Sequence, residues 1–148
     1  QNIDGLHLEA GSSPELVVEL HGTMHQSLCW SCGDRRPMPE TLDRVRAGEE
    51  DPACLVCGGI LKSATISFGQ SLDPKVLDRA EAAARGCDLL LAVGSTLNVF
   101  PVAGLVPVAK RSGAAVVIVN ADATGFDHLA DVIVRASISD VLPALVAG

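Results

Sequence analysis

An α/β fold built on a parallel sheet with crossover helices is predicted by three features of the sequence. From Asp73 onward, helical spacing alternates with short apolar runs, the pattern of strands joined by crossover helices. The runs "LLLAVG" and "AAVVIV" are unbroken and of strand length, as strands covered on both faces require. Between Cys29 and Cys57 the texture changes to Pro, Gly, Arg and cysteine with little apolar periodicity, which marks a small inserted module.

In chain order, "LVVEL" (Leu16–Leu20) reads as a short strand, and Pro39–Gly48 as a short charged helix ended by its glycine. "ATISF" (Ala64–Phe68) is a strand stopped by Gly69. Asp73 is a good N-cap and Pro74 suits a first turn, so a helix is expected from there to Gly86. "DLLLAVG" is a buried strand, and "VAGLVPVAKRSG" a helix expected to kink at Pro107. "AAVVIVN" and "ADVIVRA" are further strands, and Ser139 is expected to cap a last helix, "DVLPALVAG".

The chain has 148 residues, 48% apolar and 20% charged, enough for one domain with a core and unlike a disordered chain. No apolar run reaches the length of a membrane span. A net charge of −7 disfavours a broad nucleic-acid face and is compatible with attracting a cationic, lysine-bearing peptide, as it is with ordinary acidic solubility. The chain opens at "QNIDGLH" with no methionine, so it is expected to be a piece of a longer protein.

Four of the five cysteines form two C-x2-C pairs, Cys29/Cys32 and Cys54/Cys57. Without a secretion signal, such pairs indicate metal binding in a reducing, cytoplasmic setting sooner than disulfides. Each pair presents two thiolates from one tight knuckle, and two knuckles complete a tetrahedral zinc site. Four thiolates leave no open position, so the zinc is expected to be structural. His21 and His25, at H-x3-H spacing, suggest a mixed site with Cys29 and Cys32, but that arrangement would strand Cys54 and Cys57. Four thiolates are the simpler account. The expected organisation is therefore 1–28 with 58–148 as a Rossmann-like domain and 29–57 as the zinc-binding module.

His21 ends an expected strand and precedes Gly22, a placement suited to a general base and equally to a hydrogen-bonded structural histidine. Gly94, Ser95 and Thr96 follow an apolar strand, where open parallel sheets bind ligands, and offer backbone N–H groups and hydroxyls to a phosphate or ribose. Asn120 ends the next strand and would line the same crevice or serve as a turn residue. His25 is expected to cap or pack near the module, and Trp30 to pack inside the first knuckle.

Taken together these residues resemble the sirtuins, the NAD-dependent protein deacylases. "QNIDGLHLEAG" is similar to the family's T-Q-N-I-D-x-L-H-x-x-A-G without its threonine, and "ELHGT" to the segment bearing its catalytic histidine. The C-x2-C pairs match its zinc module in order and position. "ISFGQSL" resembles its V-x-F-G-E segment, "VGSTLNVFPVA" its G-T-S-L-x-V-x-P-A segment, and "IVN" its ribose-contacting strand end. Ser95–Thr96 reverses the family's usual order, and Gln70 stands where glutamate is usual. The family's G-A-G-x-S turn and an arginine-bearing loop have no counterpart in this sequence, so the expected activity attaches to a longer protein.

The resemblance implies an NAD-dependent protein-lysine deacylase with His21 and Asn2 as catalytic residues. Gln1, Asn2, Asp4, Gly94, Ser95, Thr96, Asn120 and Ala136 would bind NAD, and Ile66, Phe68 and Gly69 would line the acyl-lysine groove. The acyl oxygen would attack the anomeric carbon as nicotinamide leaves, with His21 as base on the ribose hydroxyls, giving free lysine and O-acyl-ADP-ribose. A monomer acting on acyl-lysine proteins or peptides, without nucleic acid or membrane, is expected. Two other functions stay open at this point, a zinc-ribbon binding module without turnover and a sirtuin-like ADP-ribosyltransferase.

Overall fold

A computed structural model describes residues 1–147. It divides into two compact units, Gln1–Val76 and Leu77–Gly148.

The first unit opens with α1 (Leu6–Glu9), begun by the Asp4 carboxylate accepting the Leu6 amide at 3.1 Å, and a 3-10 turn over Pro14–Leu16. Its sheet is antiparallel, in the order β2–β1–β3, with β1 Gly22–Cys29, β2 Arg35–Pro37 and β3 Leu61–Thr65. Between β2 and β3 runs α2 (Met38–Arg46), whose Thr41 hydroxyl donates to the buried Ser27 hydroxyl of β1 at 2.8 Å. The strand expected at Leu16–Leu20 is not formed. Pro14 starts a 3-10 turn there, and the strand begins two residues later, in a polar sequence with no β signature. Pairing with β2 and β3 decides that position, as sheet context overrides weak propensity. For the same reason β3 starts at Leu61, ahead of the expected Ala64.

Gly22 sets the entry to β1. Its φ is +75°, and a Cβ there would lie 2.1 Å from the Ala64 carbonyl oxygen. Gly22→Ala is expected to break the Gly22–Thr65 pairing and lower the melting temperature, since the backbone strain alone costs about 1–3 kcal/mol. Thermal unfolding followed by circular dichroism checks this.

The helix α3 (Pro74–Gly86) carries the chain from the first unit into the second and begins as expected. The Asp73 carboxylate accepts the Lys75 amide at 2.9 Å, and Pro74 occupies the first turn, where no N–H is needed. The sheet is parallel, β4–β5–β6, with β4 Leu89–Val93, β5 Ala115–Val119 and β6 Val132–Val134. Between β4 and β5 lies α4 (Leu105–Arg111), reached through a 3-10 turn over Val102–Gly104. Pro107 falls in the first turn of α4 and so produces no interior kink. The β5–β6 connection holds only a 3-10 turn, Asp127–Leu129, where strict alternation would place a helix. The last helix, α5 (Ile138–Val146), has Ser137 at its N-cap position, two residues before the expected one. Its expected end, Gly148, lies outside the described residues.

The core of this unit joins Val116 and Ile118 of β5 to Ala103, Val106 and Leu97, with Leu90 and Ala92 of β4 packed against them. β4 departs from the expectation of a strand buried on both faces. Within the described residues it is the outer strand of the three, and Leu89 and Leu91 are 55% and 45% exposed.

Asp131 ties α4 to the sheet. Its carboxylate accepts Lys110 Nζ at 2.6 and 2.7 Å and the Val116 amide at 2.8 Å. These bonds, the lysine's first, hold its pKa below the ordinary value. A carboxylate with a depressed pKa in the folded state adds stability above its unfolded pKa of about 4 and loses it as pH falls through the folded value. Asp131→Asn should therefore lower the melting temperature at pH 7, and the gap from wild type should close below about pH 4. Melting curves across that range test the sign.

Candidate functional site

The four cysteines expected to hold zinc converge. Among the described residues, the Sγ atoms of Cys29, Cys32, Cys54 and Cys57 all lie within 4.8 Å of one another. Cys29 and Cys57 are 3.5 Å apart, and Cys32 and Cys54 3.7 Å. Tetrahedral zinc with Zn–S bonds of about 2.3 Å sets sulfurs about 3.8 Å apart, so the donor set fits this metal. The two knuckles repeat one design. The Gly33 amide bonds the Cys29 carbonyl at 3.0 Å, and the Gly58 amide the Cys54 carbonyl at 2.8 Å. Both glycines have positive φ, +77° and +72°.

The thiols are poised unequally. The Cys32 backbone N–H draws Cys29 down to about 6. The Asp34 amide also favours the Cys32 thiolate, but the neighbouring Cys57 and Cys29 sulfurs push it up to about 12. One negative charge is accommodated and further ones repel, so a divalent cation is the natural partner of the full set. Trp30 departs from its expected packing role. It stands 61% exposed, with Lys62 Nζ 5.5 Å from its ring centroid.

No histidine belongs to this cluster. His21 Nδ1 lies 3.0 Å from the Gln1 carbonyl oxygen. A carbonyl can only accept, so the proton sits on Nδ1 and the Nε2 lone pair is left free. The backbone on either side is held. The His21 carbonyl accepts the Ile66 amide at 2.9 Å, and the preceding Leu20 is buried. The first unit thus brings together His21, Gln1 and Ile66, the last a residue expected in the acyl-lysine groove. Phe68 is fully exposed, and Gly69 sits beyond it at φ +82° in a turn closed by the Gln70 amide bonding the Ser67 carbonyl at 2.9 Å. Gln70 Oε1 accepts the Ser67 amide at 3.1 Å and Lys62 Nζ at 3.3 Å, so the amide in place of glutamate still anchors this loop. No signal in the sequence points to Lys62.

His25 differs from its expected place near the zinc module. Its Nε2 lies 2.6 Å from the Asp4 carbonyl oxygen. Asn2 and Asp4 share the short segment before α1, with Asn2 exposed and Asp4 half-buried.

The remaining expected cofactor residues lie in the second unit, at the carboxyl ends of its strands. Gly94 follows β4 with φ +60°, its amide bonding the Val119 carbonyl at 2.9 Å, and a Cβ on it would lie 2.5 Å from Ile138 Cδ1. Ser95 Oγ accepts the Leu97 amide at 3.2 Å, and Thr96 is exposed. Asn120 is buried, and its side-chain amide donates to the Asp122 carbonyl at 2.9 Å. Its own carbonyl accepts Arg135 Nη1 at 3.1 Å, and Arg135 also pairs with Asp127. The sequence gives no local cue to this arginine, because nothing near it in the chain pairs it with Asn120. Ala136 is exposed between β6 and α5.

A family model described as the Sir2 family matches residues 1–101. The NAD-dependent protein deacetylase 2 of Streptomyces coelicolor is 51% identical over 148 residues, all of this chain and 61% of that protein. The NAD-dependent protein deacetylase 1 of Bradyrhizobium diazoefficiens is 42% identical over 96% of this chain and 56% of its own length. A solved Sir2 complex with p53 peptide and NAD+ superposes with a TM-score of 0.91 at 29% identity, covering 99% of this chain and 60% of its own. The chain thus spans about three fifths of the relatives' length. With the family match running through the "QNID" segment, the His21 strand entry and both cysteine pairs, the chain belongs to the Sir2 family.

Proposed function

We propose that the full-length gene product is an NAD-dependent protein-lysine deacylase with His21 as its general base. The observation that carries the reading is the oriented imidazole. Its Nδ1–H is committed to the Gln1 carbonyl, and its Nε2 is left to take a proton. NAD, when bound, supplies the ADP-ribose that accepts the acyl group, with nicotinamide as leaving group. His21 takes a ribose hydroxyl proton at Nε2. Asn2 and Asp4 would hold the nicotinamide-ribose region, with Asn2 as the second catalytic residue, and Gln1 would bind a ribose. Gly94, Ser95, Thr96, Asn120 and Ala136, at the carboxyl ends of the second unit's strands, would bind NAD. Ile66, Phe68 and Gly69 seat the acyl-lysine, and the bond from the Ile66 amide to the His21 carbonyl supports that placing beside the base.

Cys29, Cys32, Cys54 and Cys57 hold one structural zinc. The working division is 1–28 with 58–148 around the nucleotide and 29–57 around the metal. The protein acts on acyl-lysine peptides as a monomer in the cytoplasm, without nucleic acid or membrane. No helix among the described residues is long and apolar enough to cross a membrane. The test is nicotinamide release from NAD with an acetyl-lysine peptide, run on this chain and on the full-length gene product. Absence of both turnover and NAD binding in the full-length product ends the reading.

A further inference from the structure

Three carbonyls of the Gln1–Asp4 segment accept hydrogen bonds from the chain between His21 and His25. The Gln1 carbonyl accepts His21 Nδ1 at 3.0 Å, the Ile3 carbonyl the Met24 amide at 3.0 Å, and the Asp4 carbonyl His25 Nε2 at 2.6 Å. The first donor is the proposed base and the second is backbone. The third is a side chain for which the proposed reaction has no use.

We propose that His25 is a positioning residue, whose Nε2–H, donated to the Asp4 carbonyl, holds the Asn2–Asp4 segment where the nicotinamide-ribose region of NAD is handled. This rests on the deacylase reading above. The need for such a bond follows from Gly5. Its φ is +71°, and a Cβ on it would lie 3.0 Å from both Cδ2 and Nε2 of His25, so the ring rests directly on the glycine backbone. A glycine imposes little local restriction on the peptide unit that precedes it. The Asp4–Gly5 peptide is therefore free to turn unless its carbonyl is held from outside. Were it to turn, the Asp4 carboxylate would leave the Leu6 amide that it accepts at 3.1 Å, and α1 would lose its start. A displacement of about 1 Å in a positioning group can cost a hundredfold in rate. Because a carbonyl can only accept, Nε2 carries the proton and is not offered as a metal ligand. The H-x3-H spacing is thereby explained as two ring donors reaching the two ends of one segment.

The test compares His25→Leu with His25→Gln in the full-length gene product, since glutamine offers an N–H at similar reach and leucine none. Three quantities are read: hydrogen exchange at the Leu6 and Met24 amides, kcat/KM for NAD, and KM for an acetyl-lysine peptide. In His25→Leu, exchange is expected to quicken and kcat/KM for NAD to fall by on the order of fivefold or more, the scale of one lost hydrogen bond. KM for the peptide should hold, and His25→Gln should return the first two toward wild type. Unchanged exchange in His25→Leu overturns the proposal. So does an equal loss in both variants, or a change confined to the peptide KM. If the wild-type product releases no nicotinamide, it is the deacylase reading that fails. The exchange comparison then still decides whether His25 holds the segment.

Discussion

Cys54→Ser is expected to release the zinc and unfold the segment from Cys29 to Ile60, the largest stability effect of any single substitution in this chain. The reason is what that segment lacks. Between Cys29 and Ile60 the buried residues are the cysteines Cys29 and Cys54 themselves, while Trp30, Leu55, Val56 and Ile60 are largely exposed. There is no apolar core to stand in for the metal. In zinc-finger peptides the metal contributes about 10–16 kcal/mol at neutral pH, and that energy is folding energy. Removing one thiolate leaves three donors and frees the Cys54–Gly58 knuckle, whose Val56 amide bonds the Cys54 sulfur at 3.4 Å. Chelation of the wild-type protein should have the same effect. Metal content by mass spectrometry and the near-ultraviolet signal of Trp30 read both outcomes. A variant that keeps one zinc and the wild-type signal refutes the four-thiolate site.

His21→Ala is the second. It should cut formation of the deacylated lysine peptide from an acyl-lysine peptide and NAD by at least about 10²–10⁴-fold, the range for a general base, while one zinc per chain is retained. The backbone around it should survive, because the bond from the Ile66 amide is made to the His21 carbonyl and not to its ring. The combined readout separates two roles of neighbouring residues. Loss of zinc together with activity would mean that the histidine is a metal ligand. Full activity in the variant would remove His21 as the base.

The cysteine site is legible in the sequence because its information is local. Each C-x2-C pair with its following glycine dictates a knuckle, and chelation by four thiolates needs only that two knuckles meet. The start of α3 is legible for the same reason, since Asp73 and Pro74 act within one turn. The strand that follows His21 is harder to read. The apolar "LVVEL" has the look of a strand, yet the strand is the polar "GTMHQSLC", held by bonds to β2 just after it and to β3 far along the chain.

The order of residues is enough to say which groups can do chemistry: the zinc thiolates, a histidine beside a glycine, and the glycine and hydroxyl residues after an apolar strand. The states of those groups come from the folded chain. Packing puts the proton of His21 on Nδ1, gives His25 the Asp4 carbonyl, ties Lys62 to Gln70, and sets β4 beside β5 in a parallel pair. The physical reason is range. Capping and knuckle formation are settled within a few residues, whereas a ring's tautomer and a strand's neighbours depend on partners brought near by the fold from some twenty or more positions away.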